Sequence, residues 1–279
     1  MVRTLKQVGQ KLLLLAPTGR AAKVFALNSG LAAYTIHRKI YRERAYTGID
    51  GSFSLNDNLH ADTLFLVDES SMISNGMGEG QTFGSGCLLD DLMQFVYSGR
   101  NCRIMFIGDN AQLPPVGESE SPAMSKQMIE GYGMTVYQAH LDEVVRQGAD
   151  SGILYNATAI RLMATRNEAT MMPRIRLKGF ADVEVVRGDE LIETLASSYS
   201  HAGVDDTIVI TRSNKRANIY NIGIRNQVLG REEMLCSGDQ LMVVKNNYSL
   251  TAAEKDPTAP PFIVNGDRCR VGRVRAIRE

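Results

Sequence analysis

An apolar run that ends in two adjacent carboxylates, Leu64 to Met72 (LFLVDESSM), is the most chemically pointed segment of the sequence. A buried strand that delivers Asp68 and Glu69 to its carboxyl end suits hydrolysis of a nucleoside triphosphate. Asp68 would hold Mg²⁺ through its waters and Glu69 would orient the attacking water. Acidic residues after a strand equally suit capping of a following helix. A second segment, Ile104 to Glu118 (IMFIGDNAQLPPVGE), repeats the arrangement with Asp109 and Gln112. The neutral amide of Gln112 carries both a donor and an acceptor, so it can bond a γ-phosphate oxygen or the attacking water. Pro114 and Pro115 then fix an extended backbone, which could press on a polynucleotide strand or simply stop a helix.

These side chains need elements that bring them to one place. Four short apolar runs predict buried strands of a mostly parallel sheet: Lys11 to Ala16, Thr63 to Val67, Arg103 to Ile107 and Thr207 to Ile210. Each ends in polar or turn-forming residues, and in open α/β sheets ligands bind at the carboxyl ends of strands. Helical spacing is expected over Arg20 to Ala26, Leu88 to Tyr97, Ser151 to Thr165 and Asp189 to Tyr199. The Gly-rich stretch Met77 to Gly86 reads as a loop. Asp239 to Val244 and Arg268 to Val274 read as strands of a small β module, separated by a Pro-rich loop at 256 to 261.

Composition narrows the class. The 279 residues are 44% hydrophobic and 22% charged, enough for one large domain or two ordinary ones. Lys and Arg number 31, as do Asp and Glu, so any polyanion site must be built from local basic residues. Four cysteines, at 87, 102, 236 and 269, form no CxxC pair, which argues against a zinc ribbon or a disulfide scaffold. No run approaches the ~20 apolar residues of a membrane helix, and the expectation is a cytoplasmic protein without membrane contact.

Taken in order, LLLLAPTGRAAKVF, YTIHRKI, VDESSM and IGDNAQLPPVGE resemble the superfamily 1B DNA helicases of the RecD-like group, relatives of the exodeoxyribonuclease V alpha subunit. The likeness continues through LDEVVRQ, TIVITRSNKRAN, YNIGIR, GDQLMVVKNNY and IVNGDRCRVG, and so covers essentially the whole chain. The resemblance implies an α/β fold. A RecA-like parallel sheet would occupy residues 1–150, a connecting helix and the start of a second RecA-like domain 151–235, and the start of a small SH3-like β insertion 236–279. It implies ATP and Mg²⁺ as cofactors, with Asp68, Glu69, Gln112 and Arg146 as catalytic residues and Asp68 as the metal residue. Single-stranded DNA would lie along Pro17, Thr18, Arg20, His37, Arg38, Pro114 and Pro115. Accessory subunits of a repair complex are partners of the kind the group uses.

The sequence departs from the group at one decisive place. The phosphate-cradling G-x-x-x-x-G-K-[ST] is missing, and no Gly-Lys dipeptide occurs in the 279 residues. The group's two late motifs are missing as well, so the expectation is a piece of a longer helicase, truncated at both ends, lacking its phosphate-loop strand and binding no ATP by itself. An exposed sheet edge left by that strand would invite self-association. Two other readings stand beside the 5′ to 3′ helicase. One is a catalytically incomplete module that holds single-stranded nucleic acid or a partner without turnover. The other is a metal-dependent nuclease built on Asp68, Glu69, Asp90 and Asp91.

Overall fold

The computed structural model describes residues 1–43, 53–76, 84–115, 117–141, 143–144, 148, 150–165, 172–244 and 266–275. The chain divides into two compact units, the first comprising Met1–Leu141 with Met242–Cys269, the second Asp142–Leu241 with Arg270–Glu279.

The first unit is built on a short helix α1 (Val2–Gln7), strand β1 (Lys11–Ala16), helix α2 (Gly19–Ser29), strand β2 (Ala33–Thr35) and helix α3 (Ile36–Ile40). A two-stranded antiparallel ribbon follows, β3 (Tyr41–Glu43) with β4 (Phe53–Leu55), and then β5 (Thr63–Val67), α4 (Leu88–Ser98), β6 (Arg103–Phe106) and α5 (Lys126–Glu130). The sheet is parallel in the order β2-β1-β5-β6, with Leu14 opposite Ala33, Leu13 opposite Phe65 and Leu66 opposite Met105.

Two-sided burial explains why β1 and β5 are continuous in apolar residues. Leu13, Leu15, Phe65 and Val67 face a core shared with Ile36 and Ile40 of α3 and Leu89, Leu92, Phe95 and Val96 of α4. Leu14 and Leu66 point to the opposite face, where Phe25 of α2 covers them beside Val2 and Leu5 of α1. Leu14 and Leu15 are fully buried, each stabilising the fold by about 1.5–3 kcal/mol relative to exposure. The buried residues of α4 recur at helical spacing, as its sequence predicts. α2 is delimited at both ends: the Thr18 hydroxyl accepts from the Ala21 N–H at 3.2 Å, and Gly30 closes it at φ 68°, in the left-handed region.

The second unit contains α6 (Gly152–Thr165), α7 (Leu191–His201) and α8 (Asn214–Gly223), which runs on into a π-helical turn at Ile224–Val228. Asp239 is buried here between two guanidinium groups, Arg225 and Arg231, each at 2.8 Å. The strands β7 (Gln240–Met242) and β8 (Arg268–Arg270) form a separate two-stranded ribbon.

One expected strand is corrected. Thr207–Ile210 is not a strand, and Ile208 and Ile210 are 81% and 88% exposed. Its β-branched residues favour extended backbone, but a strand also needs a neighbour to take its hydrogen bonds, and among the described residues none pairs with it. The Pro-rich 256–261 loop lies outside the described residues, as does most of Met77–Gly86.

Candidate functional site

The carboxyl ends of β1, β5 and β6 are stitched together beyond the strands themselves. The Asp68 N–H donates to the Leu15 carbonyl at 2.9 Å, the Ile107 N–H to the Val67 carbonyl at 2.8 Å, and the Ser70 N–H to the Ile107 carbonyl at 2.9 Å. Pro17-Thr18, Asp68-Glu69 and Gly108-Asp109 therefore emerge at one edge of one sheet. β2 ends at the same edge, with Thr35 opposite Ala16, and α3 starts there carrying His37 and Arg38.

Glu69 is the backbone irregularity of this edge. Its φ of 51° and ψ of 37° put it in the left-handed region, where a side chain with a β-carbon is strained by roughly 1 kcal/mol or more. The conformation turns the chain sharply off β5 into a short 3₁₀ turn at Ser70–Met72. Asp68 is half-buried, and its Oδ1 accepts from the Glu69 N–H at 3.0 Å. Ser70 pins the turn from beneath: its hydroxyl donates to the Val67 carbonyl at 2.8 Å and accepts from the Ile107 N–H at 3.3 Å. Gly108 is dictated by space, since a β-carbon there would sit 2.8 Å from the Met124 sulfur and 2.9 Å from the Ser71 nitrogen.

On the loop after β6, Asp109 Oδ1 accepts from the Ala111 N–H at 3.0 Å, and its carbonyl accepts from the Gln112 N–H at 3.1 Å. The Gln112 side chain is exposed, Pro114 is half-buried and Pro115 buried. Glu118 anchors the loop's far end, its Oε1 accepting from the N–H groups of Asn75 and Gly76 at 2.8 and 3.0 Å. The stretches after β5 and β6 are thus fastened to each other twice, through Ser70 and through Glu118.

Of the residues proposed to line DNA, Thr18 spends its hydroxyl on capping α2, Pro17 is half-buried and Arg20 is exposed. Arg38 is exposed, while the ring of His37 lies tilted 5.7 Å from that of Tyr41. Burial holds the His37 pKa below its ordinary 6.5, which keeps the imidazole neutral at physiological pH. Arg146 lies outside the described residues. Lys215 and Arg216 are exposed on the first turn of α8, in the second unit.

The four carboxylates of the nuclease reading have separate structural settings. Asp91 is buried and accepts from the Tyr41 hydroxyl at 2.7 Å and the Ser85 N–H at 3.0 Å. Asp90 accepts from the Tyr132 hydroxyl. Burial and these aspartates push both phenols well above the usual range, so each remains a neutral donor. No group of three His, Cys, Asp or Glu among the described residues could hold a metal ion. Asp68 with Glu69 would suit only a different style of site, one that holds Mg²⁺ through water and would need further ligands from a phosphate.

Sequence reasoning placed Ser70 and Gly108 at their strand ends and Glu118 at the end of its segment, but gave none of the three a role in joining the edge. A glycine directly after an apolar strand is a usable sign of close backbone approach, and it marks Gly108. Nothing in the spacing of Glu118 distinguishes it from a solvated carboxylate.

Residues 1–174 match the family described as AAA domain. Among solved structures, the chain is similar to one described as the structural basis for DNA unwinding at forked double-stranded DNA by two coordinating Pif1 helicases. The identity is 15%, the TM-score 0.42, and the match covers 99% of this chain and 64% of that one. The chain thus spans less than two thirds of that protein's length.

Proposed function

The chain belongs to the AAA-domain family, and from that premise we propose that it is part of an ATP-dependent DNA helicase of superfamily 1B, RecD-like, moving 5′ to 3′ on single-stranded DNA. In this reading residues 1–150 are the first RecA-like domain, 151–235 a connecting helix and the start of the second, and 236–279 the start of a small β insertion. ATP with Mg²⁺ supplies the free energy of phosphoryl transfer when bound. With them bound, Asp68 would hold the metal through its waters, Glu69 would take the proton of the attacking water, Gln112 would contact the γ-phosphate and Arg146 would offset charge on the transferring group. The strand runs past Pro17, Thr18, Arg20, His37, Arg38, Pro114 and Pro115. A cytoplasmic setting fits this role, and no described helix is long and apolar enough to cross a membrane.

The observation that carries the reading is the joined edge of β1, β5 and β6, with a strained Glu69 at its centre. Strain of this kind persists where the surroundings over-determine it, and it clusters at sites of chemistry. The Asp-Glu pair leads into the 3₁₀ turn at Ser70–Met72 without a capping bond from the Glu69 side chain, and it is backed by a buried Ser70 and a Cβ-free Gly108. β6 is an edge strand among the described residues, with Met105 37% exposed, and its open side offers pairing to a further strand or to a second copy.

Because no G-x-x-x-x-G-K-[ST] occurs in these 279 residues, they hold the carboxylates without the amide cradle and lysine for the β- and γ-phosphates. Turnover of ATP by this chain with Mg²⁺ and oligothymidine should stay at background. In a chain carrying a phosphate loop ahead of Met1, Glu69→Gln should lower turnover by about two or more orders of magnitude and leave nucleotide binding intact. Substantial turnover by the present chain would overturn the assignment.

A further inference from the structure

The second unit carries a cluster that the helicase reading leaves unused. Between Pro173 and Gly179 the sequence is PRIRLKG, with Arg174, Arg176 and Lys178 at alternate positions, all three exposed. None of them forms an ion pair with a described carboxylate. The segment is held in place by one buried side chain. Asn156 on α6 accepts from the Arg176 N–H at 2.7 Å and donates to the Arg176 carbonyl at 2.8 Å, mimicking the pairing of a neighbouring strand. Its amide also donates to the Gly152 carbonyl at 2.8 Å, so the Arg176 backbone is fixed to the start of the helix.

That fixed backbone sets the guanidinium of Arg176 over two aromatic rings, 5.4 Å from the centroids of both Tyr155 and Phe180. The rings themselves lie 5.5 Å apart. Phe180 approaches closely because position 152 is glycine; a β-carbon there would fall 2.5 Å from the ring. Tyr155 remains 48% exposed, a half-open aromatic face beside a planar cation. The nearby carboxylate, Asp182, is occupied by the start of α6, accepting from the Ser151 hydroxyl at 2.6 Å and the Gly152 N–H at 2.8 Å.

We infer that Tyr155, Arg174, Arg176, Lys178 and Phe180 form a contact site for single-stranded DNA on the second unit. Arg174 and Arg176 stand at alternate positions just ahead of the turn at Lys178–Gly179, so three cations are offered within one short stretch of backbone to a phosphate chain. An aromatic face with an adjacent guanidinium stacks a base without regard to its identity. In a molecule of zero net charge, three neighbouring exposed cations with no described carboxylate partner favour a polyanion. The rings favour an unpaired base over a lipid headgroup or a duplex.

The inference rests on the reading of a DNA-acting chain, so its test needs a signal of its own. The protein contains no tryptophan, and Tyr155→Trp places a single fluorophore at the patch. Titration with oligothymidine at low salt should quench it, and quenching should persist when Arg20→Ala and His37→Ala are added, which separates this site from the one on the first unit. Tyr155→Ala should weaken binding by roughly tenfold. Arg174→Gln with Lys178→Gln, at unchanged helical content, should reduce the slope of log K against log salt by about 1.4. Oligothymidine binding without quenching, an unchanged salt slope, quenching only by phosphatidylserine vesicles, or no binding at all would each overturn the proposal.

Discussion

Glu69 and Gly108 show at the scale of single residues how the site edge trades stability for shape. Glycine at position 69 would adopt the observed left-handed backbone without strain, so Glu69→Gly should raise stability by about 1 kcal/mol while removing the candidate base. A lower unfolding midpoint in urea would contradict that. Gly108→Ala should cost about 1–3 kcal/mol, because its β-carbon meets the Met124 sulfur and the Ser71 backbone nitrogen. The histidines give a pH signature with a definite sign. Burial lowers the folded-state pKa of His37, and burial with the charge of Lys39 lowers that of His60. The folded state therefore disfavours their protonated forms. Their contribution is intact above the ordinary value of 6.5 and is lost as pH falls below it, through the depressed folded values. Urea midpoints at pH 7.5 and 5 should show a fall that His37→Gln lessens; an equal fall in the variant would contradict the account.

At the scale of elements, what was legible in the sequence is what two-sided burial writes into it. β1 and β5 announced themselves as apolar runs because they face two cores, and α4 as a helical period because it faces one. The run of β6 also marked a strand but not a buried one, since β6 is an edge among the described residues, with Ile104 and Phe106 on the core and Arg103 and Met105 exposed. β2 did not, since Ala33, Tyr34 and Thr35 carry no apolar run and are a strand only through pairing with Leu14 to Ala16. Thr207–Ile210 misled for the opposite reason: its composition suits a strand, but its partner would have to come from elsewhere in the chain. The placement of Asp68, Asp109 and Pro17 at one edge was legible from run-then-polar spacing. The side chains that lock that edge were not, because Ser70 and Glu118 act through long-range hydrogen bonds to Ile107 and to Asn75 and Gly76. In the second unit, Arg225, helped by the Cys236 N–H and by Arg231, holds the Asp239 carboxyl well below the usual range. Asp239→Asn should destabilise this unit selectively, read as faster amide exchange across α8 with α4 unchanged. Equal exchange in both units would contradict it.

For the whole molecule, the joined carboxyl edge of the first unit's sheet is the proposed path of one DNA strand. Pro17 and Arg20 after β1, His37 and Arg38 after β2, and the 114–115 prolines after β6 all leave the sheet on that side. Net charge is zero, so affinity should be about micromolar or weaker and salt-dependent, carried by a few local phosphate contacts. The most direct measurement is a fluorescence anisotropy titration of labelled oligothymidine into the chain at low salt, compared with Arg20→Ala combined with His37→Ala. The account predicts sequence-tolerant binding that the double variant weakens by roughly tenfold, consistent with the loss of one charged and one ring contact. Binding of equal strength by the two proteins would contradict it and place the DNA path away from this edge.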